Sequence, residues 1–81
     1  MTTLEKLRGE VDKIDDEIVS LLDKRLQVGK LIVDAKKDKN LPIEDLDREE
    51  EIISRMAGNS KIDEALLNEL YYNIFDHIKN G

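Results

Sequence analysis

Over residues 2–37 the apolar positions fall at Leu4, Leu7, Val11, Ile14, Ile18, Leu21, Val28, Ile32 and Ala35. Steps of three and four residues trace the seam of a helix that lies along another helix. Between Leu21 and Val28 the repeat is held by Arg25, so the seam carries a cation where an aliphatic side chain is due. At ~1.5 Å per residue this helix extends ~50 Å, far more than the width of a compact domain of its size. The pattern therefore predicts a partner chain, with Arg25 in the middle of the contact. Thr2 and Glu5 have capping-box spacing for the helix start. The polar run 36–40 followed by Leu41 and Pro42 ends it, because proline disfavours the α conformation in the residue before it. Gly9 and Gly29 weaken the helix by ~1 kcal/mol each, which the long seam overrides.

A second helix is expected to start at Asp45, a good N-cap, and to reach Met56 or Ala57, where Gly58 and Asn59 stop it. Its inward face is Leu46, Ile52, Ile53 and Met56, and the acidic run 49–51 suits the positive end of the helix dipole. Ser60 or Asp63 caps a third helix, with Ala65, Leu66, Leu67, Leu70, Tyr71, Ile74, Phe75 and Ile78 at helical spacing, ending near Lys79. No run alternates with the period of a strand, and no internal repeat or low-complexity segment occurs. The fold class is all-α: one long and two short helices.

Composition changes this picture in two ways. A single domain of 81 residues (1–81) has too little volume to build a generous core alone. With no cysteine available for disulfides, association with another chain is the expected remedy. The net charge of −6 with 40% charged residues argues against a nucleic-acid or anionic-membrane binder. Aromatics are few (Tyr71, Tyr72, Phe75), so base-stacking platforms are not expected either. No apolar stretch approaches a membrane span and the N-terminus has no apolar signal region, so a soluble cytoplasmic protein is expected. A site for a small anion has to be a local basic cluster inside an acidic envelope.

Much chemistry is excluded by what the chain lacks. His77 is the sole histidine and reads as a surface residue; Ser20, Ser54 and Ser60 have no evident base; no glycine-rich phosphate loop or dinucleotide fingerprint is present. An enzyme built on this chain works without a covalent nucleophile, metal or nucleotide cofactor. What remains is a set of cations. Arg25 and Lys36, eleven residues apart, fall within ~20° of each other around the helix and ~16 Å apart along it, so two long side chains can grip one small dianion. Arg8 lies ~25 Å before Arg25 on the same helix, out of reach of that ligand, yet an antiparallel partner helix brings its own Arg8 alongside; two equivalent sites in a two-fold dimer follow. A polar seam residue can instead simply fix register, and Arg8 can pair with Glu5 or Asp12 on its own surface. Further on, Asp45 and Glu49 share a helix face with Arg48 beside them, either a hydroxyl-accepting corner or a helix cap with a local ion pair.

Taken together, Leu7-Arg8, Ile14-Asp15, Ile18, Leu21-Leu22, Arg25, Val28-Gly29-Lys30, Ala35-Lys36, then Pro42-Ile43, Asp45 and Asp47-Arg48-Glu49 resemble the all-helical class of chorismate mutases along essentially the whole chain. The most specific pieces are the Arg-x16-Arg-x10-Lys spacing and the Asp-x-x-Arg-Glu motif. The resemblance implies an intertwined helical homodimer with two active sites that converts chorismate to prephenate, on the route to phenylalanine and tyrosine. By the same resemblance, Arg25 and Arg8 of the partner subunit bind the two substrate carboxylates, and Lys36 contacts a carboxylate and the ether oxygen of the breaking bond. Asp45 and Glu49 hold the ring hydroxyl, with Arg48 supporting that corner. A concerted rearrangement needs a locked conformer and donors aimed at developing charge, which cations without acid–base machinery supply. One departure stands out. The family's last helix supplies a glutamine to the ether oxygen; here that position falls one residue past Gly81, and the small polar or glycine position one turn earlier is Ile78. The chain as given is therefore expected to be a weakened catalyst, since losing one such donor costs ~10²–10³ in rate, unless a nearby group or a longer natural chain replaces it. Competing expectations are isochorismate-pyruvate lyase, on the same fold and basic pocket, and a non-catalytic helical dimerisation or regulatory module.

Overall fold

A computed structural model of the chain describes residues 3–80 and consists of α1 (Thr3–Asp38), α2 (Leu46–Gly58) and α3 (Glu64–Asn80). Among the described residues there is no strand, and no helix is long and apolar enough to cross a membrane. The expected cap at Thr2 and the chain end at Gly81 lie outside the described residues.

Capping contacts are seen at the end of α1 and at both ends of α2. α1 runs unbroken through both of its glycines and is ended by Asn40 rather than by Pro42. Asn40 takes a left-handed φ of 55°, its N–H donates to the Lys37 carbonyl at 3.2 Å, and the Leu41 N–H reaches back to the Lys36 carbonyl at 2.8 Å. That pair of bonds satisfies carbonyls the last turn leaves open. Pro42, two residues on, bars the helix from resuming. At α2 the Asp45 carboxylate accepts the Arg48 N–H at 3.1 Å, as its N-cap position predicts. α2 absorbs Gly58, and the Asn59 N–H closes it on the carbonyls of Arg55 and Met56. Of the two candidate caps for α3, Ser60 instead donates its hydroxyl to the Met56 carbonyl at 2.9 Å. Asp63 precedes the helix and accepts the Leu67 N–H on its backbone carbonyl at 3.0 Å.

α3 is the packing centre, lying against both α1 and α2. Against α1 it depends on Gly29, the one buried residue of that helix: a Cβ there would meet Ile78 Cδ1 at 2.5 Å. Without a side chain at Gly29 the two helices approach closely enough for Ile78 to occupy that space. Leu67 and Phe75 are buried, and Ile52, Ile53, Met56, Tyr71, Ile74 and Ile78 are half-buried. Leu46, expected on the inward face of α2, is exposed in the single chain, as are Ala65, Leu66 and Leu70 among the helically spaced apolar positions of α3. Helical spacing alone does not say which of two adjacent apolar stripes meets the neighbouring helix.

The same point decides α1. Its covered stripe is Leu22, Arg25, Leu26, Gly29, Val33 and Lys36, rotated from the apolar seam, and Arg25 is half-buried by α3 of its own chain. The aliphatic positions of the seam, from Leu4 to Ala35, are all exposed, with Leu4, Leu7, Val11, Ile14, Ile18 and Leu21 each at least half accessible; Arg25, expected among them at the contact with a partner chain, faces α3 instead. The molecule measures 58 × 23 × 18 Å, the long dimension being that of α1.

Candidate functional site

The inner stripe of α1 carries Arg25, Gly29 and Lys36 into a cleft of about 220 Å³. Its other walls are Ile43 from the α1–α2 connection, Arg48, Glu49 and Ile52 from α2, and Phe75, Ile78 and Lys79 from α3. The three helices thus deliver cations to an otherwise mostly apolar recess.

Arg25 is held by faces rather than by charges. Its guanidinium carbon lies 5.5 Å from the Tyr71 ring centroid and 5.6 Å from that of Phe75, within cation–π range of both. The rings brace each other, their centroids 5.7 Å apart and their planes tilted by 42°. This arrangement orients the guanidinium without neutralising it. Lys36 is held by the backbone: its Nζ donates to the Ile43 carbonyl at 3.1 Å, spending one of three ammonium donors. Among the described residues no carboxylate comes within ion-pair distance of either group. The chain has 19 acidic against 13 basic side chains, so a shortage of carboxylates does not explain it. Cations removed from water are stabilised by an anion; these two, partly withdrawn from solvent, face an open cleft.

The acidic corner is built differently. Glu49, half-buried at the start of α2, has its Oε2 2.7 Å from Lys79 Nζ, and Glu44 Oε2 approaches the same nitrogen at 3.1 Å. The Lys79 ammonium is held above the ordinary lysine value, chiefly by the hydrogen bond it donates to Glu49; desolvation opposes this, and the hydrogen bond to Glu44 and the charges of both carboxylates add to it. The Arg48 guanidinium turns to Glu51 at 2.6 Å, not to Asp45 or Glu49.

Of the expected site residues the cleft gathers Arg25, Lys36, Arg48 and Glu49. Asp45 does not line it, and its carboxylate is engaged at the α2 cap. Arg8 is exposed, ~25 Å before Arg25 on one unbroken helix, and so cannot reach the cleft of its own chain. His77 is exposed. Sequence reasoning assigned no role to Lys79, although its separation of four from Phe75 puts the two on one helix face. Nor did it find the Ile43 carbonyl, which no side-chain pattern announces.

Residues 7–80 match the family model described as chorismate mutase type II. Over 61 residues, 75% of this chain, the sequence is 41% identical to a bifunctional chorismate mutase/prephenate dehydratase of Aquifex aeolicus (strain VF5), and the chain spans 17% of the length of that protein. A solved structure described as a conserved hypothetical protein from Pyrococcus furiosus is 44% identical and superposes with a TM-score of 0.76, with 96% of each chain covered. The family match takes in every residue that lines the cleft as well as Arg8 and Asp45. The two unpaired cations thus sit inside a matched region, and the chain belongs to the chorismate mutase type II family.

Proposed function

We propose that the chain is a chorismate mutase, converting chorismate to prephenate in a two-fold helical homodimer. The observation that carries this reading is the pair Arg25 and Lys36, half-buried, aimed into one cleft and left without a carboxylate by a strongly acidic chain. Chorismate is a dianion whose enolpyruvyl ether breaks its C–O bond while a C–C bond forms, with no proton transferred. A catalyst for such a step holds the reactive conformer and stabilises charge building on the ether oxygen.

In this reading Arg25 takes one carboxylate, its plane preset by Tyr71 and Phe75. Arg8 of the partner subunit takes the other. Lys36 keeps two N–H groups for a carboxylate and the ether oxygen once the third is committed to Ile43. Glu49, with Asp45, accepts the ring hydroxyl, and Arg48 supports that corner. Ile78 makes the α3 wall apolar where the family places a small polar residue or glycine, so that wall offers no additional donor there.

The test is the loss of chorismate absorbance on addition of the pure protein, with the product identified. Prephenate establishes the reading. Pyruvate released from isochorismate, with chorismate untouched, would assign the protein as a lyase. No turnover of either substrate, in a dimer that Arg25→Ala leaves intact, would leave a helical dimerisation module.

A further inference from the structure

Lys79 is the fourth cation of the cleft, and neither the spacing of the motifs nor the proposed chemistry uses it. We infer that Lys79 sets the net charge of the site: paired with Glu49, it cancels the one carboxylate lining the cleft and leaves Arg25 and Lys36 as two uncompensated positive charges for a dianion. The inference rests on the mutase reading and adds to it a positioning residue that acts through Glu49.

The charges of the lining residues account for one another in this way. Arg48 is met by Glu51 at 2.6 Å, and Glu49 by Lys79 at 2.7 Å; Arg25 and Lys36 have only ring faces and a backbone carbonyl. A bare Glu49 carboxylate would repel an incoming dianion across a recess of low polarity, where charges are poorly screened. Lys79 removes that repulsion by holding Oε2, and Oε1 stays able to accept a hydroxyl hydrogen. Glu44, whose side chain is 59% exposed and does not line the cleft, serves as the second anchor of the ammonium. Because Glu44 lies in the connection, Glu49 on α2 and Lys79 on α3, the same contact also fixes the end of α3 over the site.

The experiment is steady-state kinetics with chorismate on the wild-type protein, Lys79→Met, Lys79→Arg, Glu49→Gln and the Glu49→Gln/Lys79→Met double variant. Loss of neutralisation weakens ground state and transition state alike. Lys79→Met therefore raises KM about five- to tenfold with kcat changed less than about twofold, and Lys79→Arg restores KM. In the Glu49→Gln background, removal of Lys79 changes KM by less than about twofold, because no carboxylate remains to be cancelled. An unchanged KM in Lys79→Met overturns the inference, as does an equal KM penalty in both backgrounds, which would mark Lys79 as a direct contact or a purely structural tether. Should Lys79→Met not fold, Lys79→Gln carries the same comparison. Absence of turnover in the wild-type protein overturns the mutase reading and this inference with it, and is distinguished by needing no variant.

Discussion

At the scale of single residues, the two cations of the cleft are expected to fail in different ways. Lys36 is poised for the charge that develops on the ether oxygen, so Lys36→Gln should lower kcat by ~10²–10³ while KM moves much less. Arg25→Lys keeps the charge but loses the planar group that lies against Tyr71 and Phe75. It should raise KM more than it lowers kcat, and kinetics on the two variants side by side checks the contrast. Gly29 is a packing residue. The Cβ of Gly29→Ala would lie 2.5 Å from Ile78 Cδ1 and 3.2 Å from its Cγ1, against a gain in helix propensity of ~1 kcal/mol. Overpacking of this kind costs ~1–3 kcal/mol, so the single variant should be destabilised by up to about 2 kcal/mol. In an Ile78→Val background the Cδ1 atom is gone, and Gly29→Ala should become neutral or stabilising. Urea midpoints of the four proteins test this, and an equal penalty in both backgrounds would show that the contact is not what excludes a side chain.

Among the elements, the α2–α3 junction carries the pH dependence. Lys79 has a folded value raised above the ordinary 10.5, so its contribution to stability is complete below that value and is lost as the pH climbs through the raised one. The melting temperature of Lys79→Met should therefore lie below that of the wild type by a constant margin between about pH 7 and 9, and the margin should close above about pH 10.5. A margin that persists in alkali would assign the effect to packing of the lysine stem instead. At the other end of α2, Asp45→Ala should cost about 1 kcal/mol through loss of the cap, with Asp45→Asn near neutral. All three helices, and the cap at Asp45, were legible because capping residues and apolar spacing are local signals. The side of α1 that α3 covers was not. The seam through Leu21, Val28 and Ile32 and the stripe through Leu22, Gly29 and Val33 are both apolar, and only the close approach at Gly29 selects the second. Gly29 reads in the sequence as a helix-weakening residue, its use as a packing surface being a tertiary fact. The lining of the cleft was legible to the same depth. Arg25, Lys36, Arg48 and Glu49 follow from periodicity and motif. Lys79 and the Ile43 carbonyl are brought in by the way α3 and the connection fold over α1, which spacing along one helix does not encode.

The whole molecule is extended rather than compact. Its radius of gyration is 16.2 Å, against ~12 Å for a compact chain of this length, and its buried apolar side chains among the described residues are Leu67 and Phe75. Eight or more large aliphatic side chains on the outer face of α1 are at least half accessible, a continuous apolar strip of the kind that marks an interface. In the proposed dimer a second copy running antiparallel would cover that strip and bring Arg8 of the partner subunit to the far end of each cleft, a distance of ~25 Å along a rigid helix that Arg8 of the same chain does not span. This arrangement makes a quantitative prediction. Arg8→Ala and Arg25→Ala should each be nearly inactive as pure dimers, since every site lacks one guanidinium. When equal amounts are unfolded together and refolded, about half of the dimers are hybrids, and each hybrid holds one site with both arginines and one with neither. Activity should return to about a quarter of the wild-type level, per protomer, whereas mixing without unfolding should return none until subunits exchange. If Arg8 served its own chain, or none, the refolded mixture would stay at the average of its two parents.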